Sequence, residues 1–218
     1  MSLFPRITIF LILFSSGLIY AQNETPNQEP MPTVERVALY ENEHIPDFAF
    51  KDVNGEEVKL SSFEGKYILL DFWETVCAPC IWEIPEAQKS HDRIKKHYPQ
   101  VVWLTVSSDR DVEKWKQVVK EKKMPGINLL STREANKSVF HVPGWPSYIL
   151  LTPERKIIGY ALPTPTEGPL LEFIIHKGLQ GVHAKEAYRL ALQPTNNPKM
   201  LKHTEELKKF IKDVNWNQ

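Results

Sequence analysis

The only two cysteines of this 218-residue chain, Cys77 and Cys80, are separated by two residues. A structural disulfide over so short a span closes a very small loop, and the loop-closure entropy by which a disulfide stabilises a fold decreases with loop size. Neighbouring thiols are better suited to thiol-disulfide exchange, in which one thiolate attacks a disulfide and the second thiol resolves the mixed disulfide. The spacing therefore predicts a redox-active pair, with a structural bridge as the alternative.

The segment around the cysteines, DFWETVCAPC, predicts a different role for each of them. It indicates a buried strand followed by a helix that begins at Cys77. The free N–H groups and the dipole at a helix N-terminus favour a thiolate, and they lower a thiol pKa below its ordinary value of about 8.5. We therefore expect Cys77 to be the nucleophile. Cys80 lies one turn deeper on the same helix face, so we expect it to be the resolving thiol.

Two acidic residues lie close to the cysteines in the sequence. Asp71 is inside the apolar strand, six residues before Cys77, and burial should raise the pKa of an unpaired carboxyl there. Such a group could accept the proton of Cys80 and return it. Glu83, three residues after Cys80, could act as a second proton relay. The alternatives are a hydrogen-bonded strand residue for Asp71 and a solvated helix-surface residue for Glu83.

Predicted strands and helices alternate along the chain, which indicates an α/β fold with a parallel sheet core and right-handed crossovers. The predicted strands are residues 67–73, 101–107, 127–130, 147–152 and 156–162, preceded by a hairpin at 47–60 that turns at Asn54-Gly55. The predicted helices are residues 77–96, 109–122, 133–140 and 169–177, the second of them capped by Ser108 and Asp111.

The flanking regions predict three further segments. Residues 1–21 have one arginine, an apolar run and a small residue at the end, as in a secretory signal peptide, with an uncleaved N-terminal anchor as the alternative. Residues 22–35 are polar and predict a flexible leader before a domain at 36–180. Residues 181–218 predict a helical extension with helices at 183–192 and 198–214. The second of these has an apolar stripe of Met200, Leu201, Leu207, Phe210, Ile211 and Val214. We expect this stripe to pack on the domain, with a partner-binding or dimerisation helix as the alternative.

The charge of the chain is balanced, with 27 basic and 27 acidic residues. A basic field that could neutralise nucleic-acid phosphates is therefore not expected, and nucleic acid is excluded as a partner.

Several motifs in order along the chain resemble the thioredoxin superfamily, in particular its exported TlpA- and ResA-like thiol-disulfide oxidoreductases, which are related to AhpC/TSA proteins. The motifs are IPDF (45–48), NGEEV (54–58), LSSFEGK (60–66), LLDFW (69–73), CAPC (77–80), the Glu83 to Pro85 segment and GWPSYILL (144–151). The resemblance covers about residues 45–178. It implies a thioredoxin-like fold, with a central mixed β-sheet flanked by helices, an N-terminal β-hairpin and here a C-terminal helical extension.

The resemblance also implies site roles. Cys77 corresponds to the attacking cysteine and Cys80 to the resolving one, Asp71 matches the buried acid of thioredoxins, and Glu83 matches the acidic residue of the ResA-like branch. Pro146 stands where the family has a cis-proline opposite the cysteines, where it would shape substrate docking. No cofactor and no metal are implied.

Two positions depart from the family pattern. Val76 precedes the first cysteine, where the family usually has tryptophan, so that Trp73 is left as aromatic cover over the thiols. Trp145 precedes the expected cis-proline, where the family usually has a small or β-branched residue. We expect Trp73, Trp145 and Pro146 to contact the substrate, and we hypothesise that Trp145 narrows the docking groove or adds an aromatic contact to a partner peptide.

The function implied is the exchange of disulfides with exported proteins in the periplasm. We expect the protein to act as a reductant that receives electrons from an upstream membrane donor, with apocytochrome c among the candidate substrates. The chain would contact the membrane itself only if its N-terminal segment stays uncleaved.

Two other functions share features with this sequence. A peroxidase of the peroxiredoxin type needs Thr or Ser three residues before its reactive cysteine and Pro seven residues before it, and this chain has Glu74 and Leu70 there. A metal-binding module such as a copper chaperone could use the two thiolates as soft ligands. The seven histidines form no ligand-spaced cluster, however, and His141 alone lies near the predicted proline loop.

Overall fold

The computed structural model describes residues 33–194 and 201–216. The helices are α1 (Thr33–Arg36), α2 (Ala78–His97), α3 (Val112–Lys122), α4 (Arg133–Phe140), α5 (Leu170–Gly178), α6 (Ala184–Ala191) and α7 (Glu205–Asp213). The strands are β1 (Ala49–Asp52), β2 (Glu57–Lys59), β3 (Tyr67–Trp73), β4 (Val101–Ser107), β5 (Ile127–Leu130), β6 (Ser147–Leu151), β7 (Ile157–Gly159), β8 (Leu192–Pro194) and β9 (Leu201–His203). The predicted signal peptide and most of the predicted leader lie outside the described residues. Within the described part of the chain, no helix is long and apolar enough to cross a membrane.

The first seven strands form one sheet in the order β2-β1-β5-β4-β3-β6-β7. The three inner strands β3, β4 and β5 are parallel, and the remaining neighbours pair antiparallel. The sheet is therefore mixed with a parallel core, as predicted. β3 lies between β4 and β6, so the strand that leads to the cysteines is buried on both faces.

Side chains of β3 alternate between two apolar clusters, one on each face of the sheet. Leu70 and Phe72 belong to one cluster, whereas Leu69 belongs to the other, which also contains residues of α2 and α5. By the same alternation Asp71 shares the face of Leu69. Its carboxyl is thereby placed beneath α2, the helix that begins at the cysteines.

The predicted N-terminal hairpin is confirmed by the pairing of β1 with β2. Its turn is closed by Asp52, whose Oδ1 accepts hydrogen bonds from the backbone N–H groups of Asn54 and Glu56, both at 2.8 Å. Gly55 has a φ of 83°, which suits a residue without a Cβ.

The predicted cap of α3 is partly wrong. Asp111 is the N-cap, and its side chain accepts a hydrogen bond from the N–H of Lys114. Ser108 does not cap this helix, because its hydroxyl donates to Glu74 at 2.7 Å.

The N-cap of α3 should make a small contribution to the free energy of unfolding. We expect Asp111→Ala to lower the free energy of unfolding by about 1 kcal/mol, since an orphan helix N–H loses its acceptor. Lys120→Ala, at an exposed position of the same helix, is the control and should stay within about 0.5 kcal/mol of the wild type. Urea unfolding of both variants measures the difference, and equal losses would contradict the capping role.

In the C-terminal extension the first predicted helix, at 183–192, is confirmed by α6, whereas the second, at 198–214, is only partly helical. The extension contains α6, the antiparallel strands β8 and β9, and the shorter helix α7. Leu201, predicted as helical, is the first residue of β9, and Met200 lies outside the described residues. The apolar side of α7 is buried, and the ring of Phe210 lies 5.3 Å from that of Phe173 in α5. The extension therefore packs on the domain and shares its apolar core.

A buried carboxylate fastens this C-terminal region to α2. Glu172 of α5, 2% exposed, accepts hydrogen bonds from Ser90 at 2.7 Å and from Arg93, which is bidentate. The indole N–H of Trp216 donates to the same carboxylate at 3.2 Å, and the guanidinium of Arg93 lies over the Trp216 ring. The end of the described chain is thus held against the helix that carries the cysteines.

Candidate functional site

The two cysteines lie where β3 gives way to α2. Cys77 is the N-cap residue, and its Sγ accepts a hydrogen bond from the N–H of Cys80 at 3.3 Å. Pro79 occupies an early helix position, where a missing N–H costs no hydrogen bond. Cys77 and Cys80 are joined by a disulfide, so this structure shows the oxidised form of the pair.

The exposure of the two sulfur-bearing residues differs as their predicted roles require. Cys77 is partly exposed, whereas Cys80 is 2% exposed. A partner disulfide can therefore reach Cys77 from solvent, while Cys80 is sheltered beneath it. In the reduced form the N-terminus of α2 would stabilise a thiolate at Cys77.

Asp71 is buried in the centre of the sheet, at 2% exposure. It is paired in register with Tyr148 of β6, and its Oδ2 accepts a hydrogen bond from the indole N–H of Trp103 at 3.3 Å. Burial raises the pKa of Asp71 well above its usual value, the negative charge of Glu83 raises it further, and hydrogen bonds from Trp103 and Tyr148 oppose the rise. The structure thus gives the upward pKa shift that was predicted for Asp71, and burial is its main cause.

Glu83 is also buried, at 5% exposure, which rules out the alternative of a solvated helix-surface residue. Burial raises the pKa of Glu83 to about 7, although a hydrogen bond from Tyr148 acts in the opposite direction. The Tyr148 hydroxyl donates to Glu83 Oε1 at 2.8 Å. Asp71 and Glu83, here named the carboxyl pair, are thus linked through one phenol that lies between them.

Tyr148 was missed by sequence reasoning, although it belongs to the SYILL segment that was predicted to be a strand. Burial raises the pKa of Tyr148 well above its usual value, and the nearby carboxyls raise it further. The phenol therefore stays protonated and can donate to either member of the carboxyl pair. A signal was available in the sequence, because an antiparallel neighbour of β3 must place one residue opposite Asp71.

The proline loop lies at the same end of the sheet as the cysteines. The Trp145–Pro146 peptide bond is cis, as the family resemblance implies. Ser147, the next residue, begins β6 and pairs with Phe72, one residue before the end of β3. Trp145 packs against an apolar cluster that Cys77 also contacts. The structure thus brings the proline loop and Cys77 together.

Trp73 does not have its expected position. It is 1% exposed and packs with Cys80, Ile84, Trp115 and Met124. The expectation that its ring covers the thiols and contacts substrate is therefore wrong, because the last residue of β3 points into the core beneath the pair.

Two large apolar side chains are exposed beside the cysteines, those of Val76 and Trp82, at 67% and 78%. Val76 directly precedes Cys77, and Trp82 follows Cys80 by two residues on the outer face of α2. Trp82 was not selected from the sequence, although its place in a helix that buries Cys80 and Glu83 would have put it on the opposite face. A partner that reaches Cys77 can therefore contact these two apolar side chains.

A further buried carboxylate is that of Glu74, which the sequence singled out only as a mismatch to the peroxidase pattern. It is 1% exposed and accepts hydrogen bonds from Ser108 and from Arg133, each at 2.7 Å. A second Arg133 nitrogen bonds its other oxygen. Burial favours a raised pKa for Glu74, but the hydrogen bonds from Arg133 and Ser108 outweigh it and hold the pKa below its usual value. The backbone carbonyl of Glu74 accepts the N–H of Cys77 at 3.0 Å.

A metal centre is not formed by the described residues, among which no three His, Cys, Asp or Glu side chains are grouped to hold an ion. His141, the histidine nearest the proline loop, is engaged instead with Glu43 at 2.7 Å and stacks on Tyr40.

The chain is similar in sequence to thiol-disulfide oxidoreductases and thioredoxin-like proteins. The chain is 26% identical over 140 residues to the thiol-disulfide oxidoreductase ResA of Bacillus subtilis, a match that covers 63% of this chain and 75% of ResA. It is 31% identical over 86 residues to the thioredoxin-like protein YneN of the same organism, covering 39% of this chain and 48% of YneN.

Solved structures give the same result for the fold. A thiol:disulfide interchange protein from Bacteroides sp. matches with a TM-score of 0.50 and 32% identity, covering 56% of this chain and 82% of its own. The thioredoxin domain of a thiol-disulfide oxidoreductase from Bacteroides vulgatus matches with the same TM-score and identity, covering 57% and 89%. The fold is therefore thioredoxin-like. The AhpC/TSA family model matches residues 42–157, more than half of the chain, and the protein belongs to the AhpC/TSA family.

Proposed function

We propose that this protein is a thiol-disulfide oxidoreductase that reduces disulfides of exported proteins. The observation that carries the proposal is the Cys77–Cys80 disulfide at the start of α2, with one cysteine accessible and the other buried. That difference in access supports attack by Cys77 and resolution by Cys80. The thiol-disulfide oxidoreductases among the similar proteins support the same reaction.

The reaction has two exchange steps. The Cys77 thiolate attacks one sulfur of the substrate disulfide, the substrate S–S bond breaks, and the first substrate thiolate leaves. Cys80 then loses its proton and attacks the Cys77 sulfur, which breaks the mixed disulfide and releases the second substrate thiolate. The substrate gains two electrons from the dithiol, its two thiolates take up protons from solvent, and the Cys77–Cys80 disulfide forms.

The carboxyl pair handles the proton of Cys80 in this scheme. With a pKa of about 7, the Glu83 carboxyl exchanges protons readily near neutral pH. Tyr148 links Glu83 to Asp71, so that either carboxyl can hold the proton while the phenol keeps a hydrogen bond. A proton taken from Cys80 during resolution returns when the disulfide is reduced again.

The place of action belongs to the proposal as well. The signal-peptide pattern at residues 1–21 supports export, and we assign the protein to the periplasm. A reductant in an oxidising compartment must itself be reduced again, so a membrane protein that delivers electrons is required. Apocytochrome c is one candidate substrate among exported proteins, because a disulfide between the two cysteines of its C-x-x-C-H haem-attachment motif would be a target for reduction.

Trapping of the mixed disulfide tests the mechanism. Reduced Cys80→Ser protein incubated with insulin should accumulate a covalent adduct through Cys77, visible as a mass increase that dithiothreitol reverses. Wild-type protein should reduce insulin and accumulate no adduct, because Cys80 resolves it. Cys77→Ser protein is the control and should neither trap nor reduce insulin. Reduction of insulin by Cys77→Ser protein would overturn the assignment of the nucleophile.

A further inference from the structure

Four segments around the cysteines are joined by the side chain of Arg133, the first residue of α4. Its guanidinium is bidentate on the Glu74 carboxylate, three residues before Cys77. Ser108, from the loop after β4, donates to the same carboxylate at 2.7 Å. The guanidinium also lies over the ring of Trp145, with its central carbon 5.0 Å from the ring centroid.

This arrangement depends on features that only arginine has. A planar guanidinium can hold a carboxylate with two parallel hydrogen bonds and present its face to an aromatic ring at the same time. The Glu74 side chain is 1% exposed, and its backbone carbonyl accepts the N–H of Cys77. Arg133 thereby connects the segment that holds the nucleophile to the loop that holds the cis-proline.

Trp145 occupies a position from which it can act on a bound substrate. It packs against the cluster that includes Cys80 and is contacted by Cys77, and it also lines a cleft of about 390 Å³. The same cleft is lined by Gly144, Pro146, Thr164 and Glu167. The indole thus stands between the dithiol and the open cleft along the proline loop.

We propose that Arg133 is a positioning residue that fixes the Trp145 indole beside the dithiol, so that Trp145 selects substrates with a small side chain next to the reacting cysteine. The inference rests on the proposed function, because it concerns substrates of that exchange reaction. A fixed indole occupies space that a bulky neighbour of the substrate cysteine would need. Freed from Arg133, the indole can move aside and the selection weakens.

Peptides with a defined neighbour test the selection. The probes are two short peptides, each with its cysteine linked to thionitrobenzoate, one with glycine and the other with leucine beside the cysteine. Reduced wild-type protein should release thionitrobenzoate from the glycine peptide about tenfold faster. Arg133→Lys, which keeps the charge but loses the bidentate and stacked geometry, should bring the ratio of the two rates close to one.

Two further variants separate positioning from general damage. Lys137→Gln, at an exposed position of the same helix, should keep the wild-type ratio. In a Trp145→Val background, Arg133→Lys should have no further effect on the ratio, because Arg133 acts through the indole. An equal effect of Arg133→Lys with and without Trp145 would overturn the proposal.

A spectroscopic signal reports the indole directly. The Nε1 of Trp145 is buried and has no hydrogen-bond partner among the described residues. In a ¹H–¹⁵N spectrum its indole cross-peak, assigned by its loss in Trp145→Phe, should shift in Arg133→Lys and stay in place in Lys137→Gln. An unmoved cross-peak in Arg133→Lys would show that the arginine does not position the ring.

The outcomes also distinguish this inference from the proposed function. Wild-type protein that fails to react through Cys77 with either peptide, or with a small aromatic disulfide, would refute the exchange reaction itself. Wild-type protein that reacts with both peptides at equal rates would leave the exchange reaction intact and refute the selection by Trp145.

Discussion

Asp71→Asn is expected to slow resolution by Cys80 about a hundredfold, within the range that a positioned proton acceptor contributes. Asparagine keeps the size of the side chain and a hydrogen-bond acceptor for the Trp103 indole, but it cannot take up a proton. Attack by Cys77 should change much less, since its thiolate is stabilised by the N-terminus of α2 rather than by a base.

Reaction with a small aromatic disulfide such as dithiobis(nitrobenzoate) resolves the two steps in time. The first thionitrobenzoate leaves when Cys77 attacks, and the second leaves when Cys80 closes the disulfide. Asp71→Asn should slow only the second phase. Asp92→Asn, with a side chain that is 82% exposed on α2, is the matched control and should leave both phases unchanged. An unaltered second phase in Asp71→Asn would remove Asp71 from the proton path.

Glu83 is expected to make the stability of the oxidised protein depend on pH. Its pKa rises from 4.5 to about 7 on folding, so between these values the folded chain holds a proton that the unfolded chain has lost. The contribution of Glu83 to the free energy of unfolding is therefore fully present below about pH 4.5 and is lost as the pH rises through about 7. The shift corresponds to about 3 kcal/mol.

The measurement is a comparison of variants across pH. The difference in unfolding free energy between the wild type and Glu83→Gln should change by about 3 kcal/mol from pH 4 to pH 8, in the direction that makes the variant relatively more stable at high pH. Glu86→Gln, three residues further along α2, serves as the control for a change of carboxyl to amide on the same helix. A difference that does not vary with pH would contradict the burial of an ionisable Glu83.

The bounds of the central strands β3 and β4 could be predicted to the residue, because burial on both faces favours apolar side chains along most of the strand. β3 and β4 are buried on both faces, so each is a largely apolar run of seven residues. The antiparallel pair β8 and β9 could not be predicted in this way. Each of these strands has three residues, and part of the segment between them lies outside the described residues.

Within the site, the local features were predictable and the long-range partners were not. The roles proposed for Cys77 and Cys80 were inferred from four consecutive residues at the start of a helix, a local pattern that the sequence contains in full. Glu74 and Arg133 are 59 residues apart in the chain, and only the fold brings them together. The position of Trp73 also depends on the fold, because the final residue of a strand can face either the surface or the core.

The disulfide of this protein is local, and the chain has no other cysteine. The small loop between Cys77 and Cys80 restricts the unfolded chain very little, so most of the fold's stability comes from its two packed faces and not from the cross-link. Gain and loss of electrons are therefore nearly independent of folding. A change in the redox state of the surroundings would switch the protein's reactivity while its architecture persists, which allows it to cycle repeatedly without passing through an unfolded state.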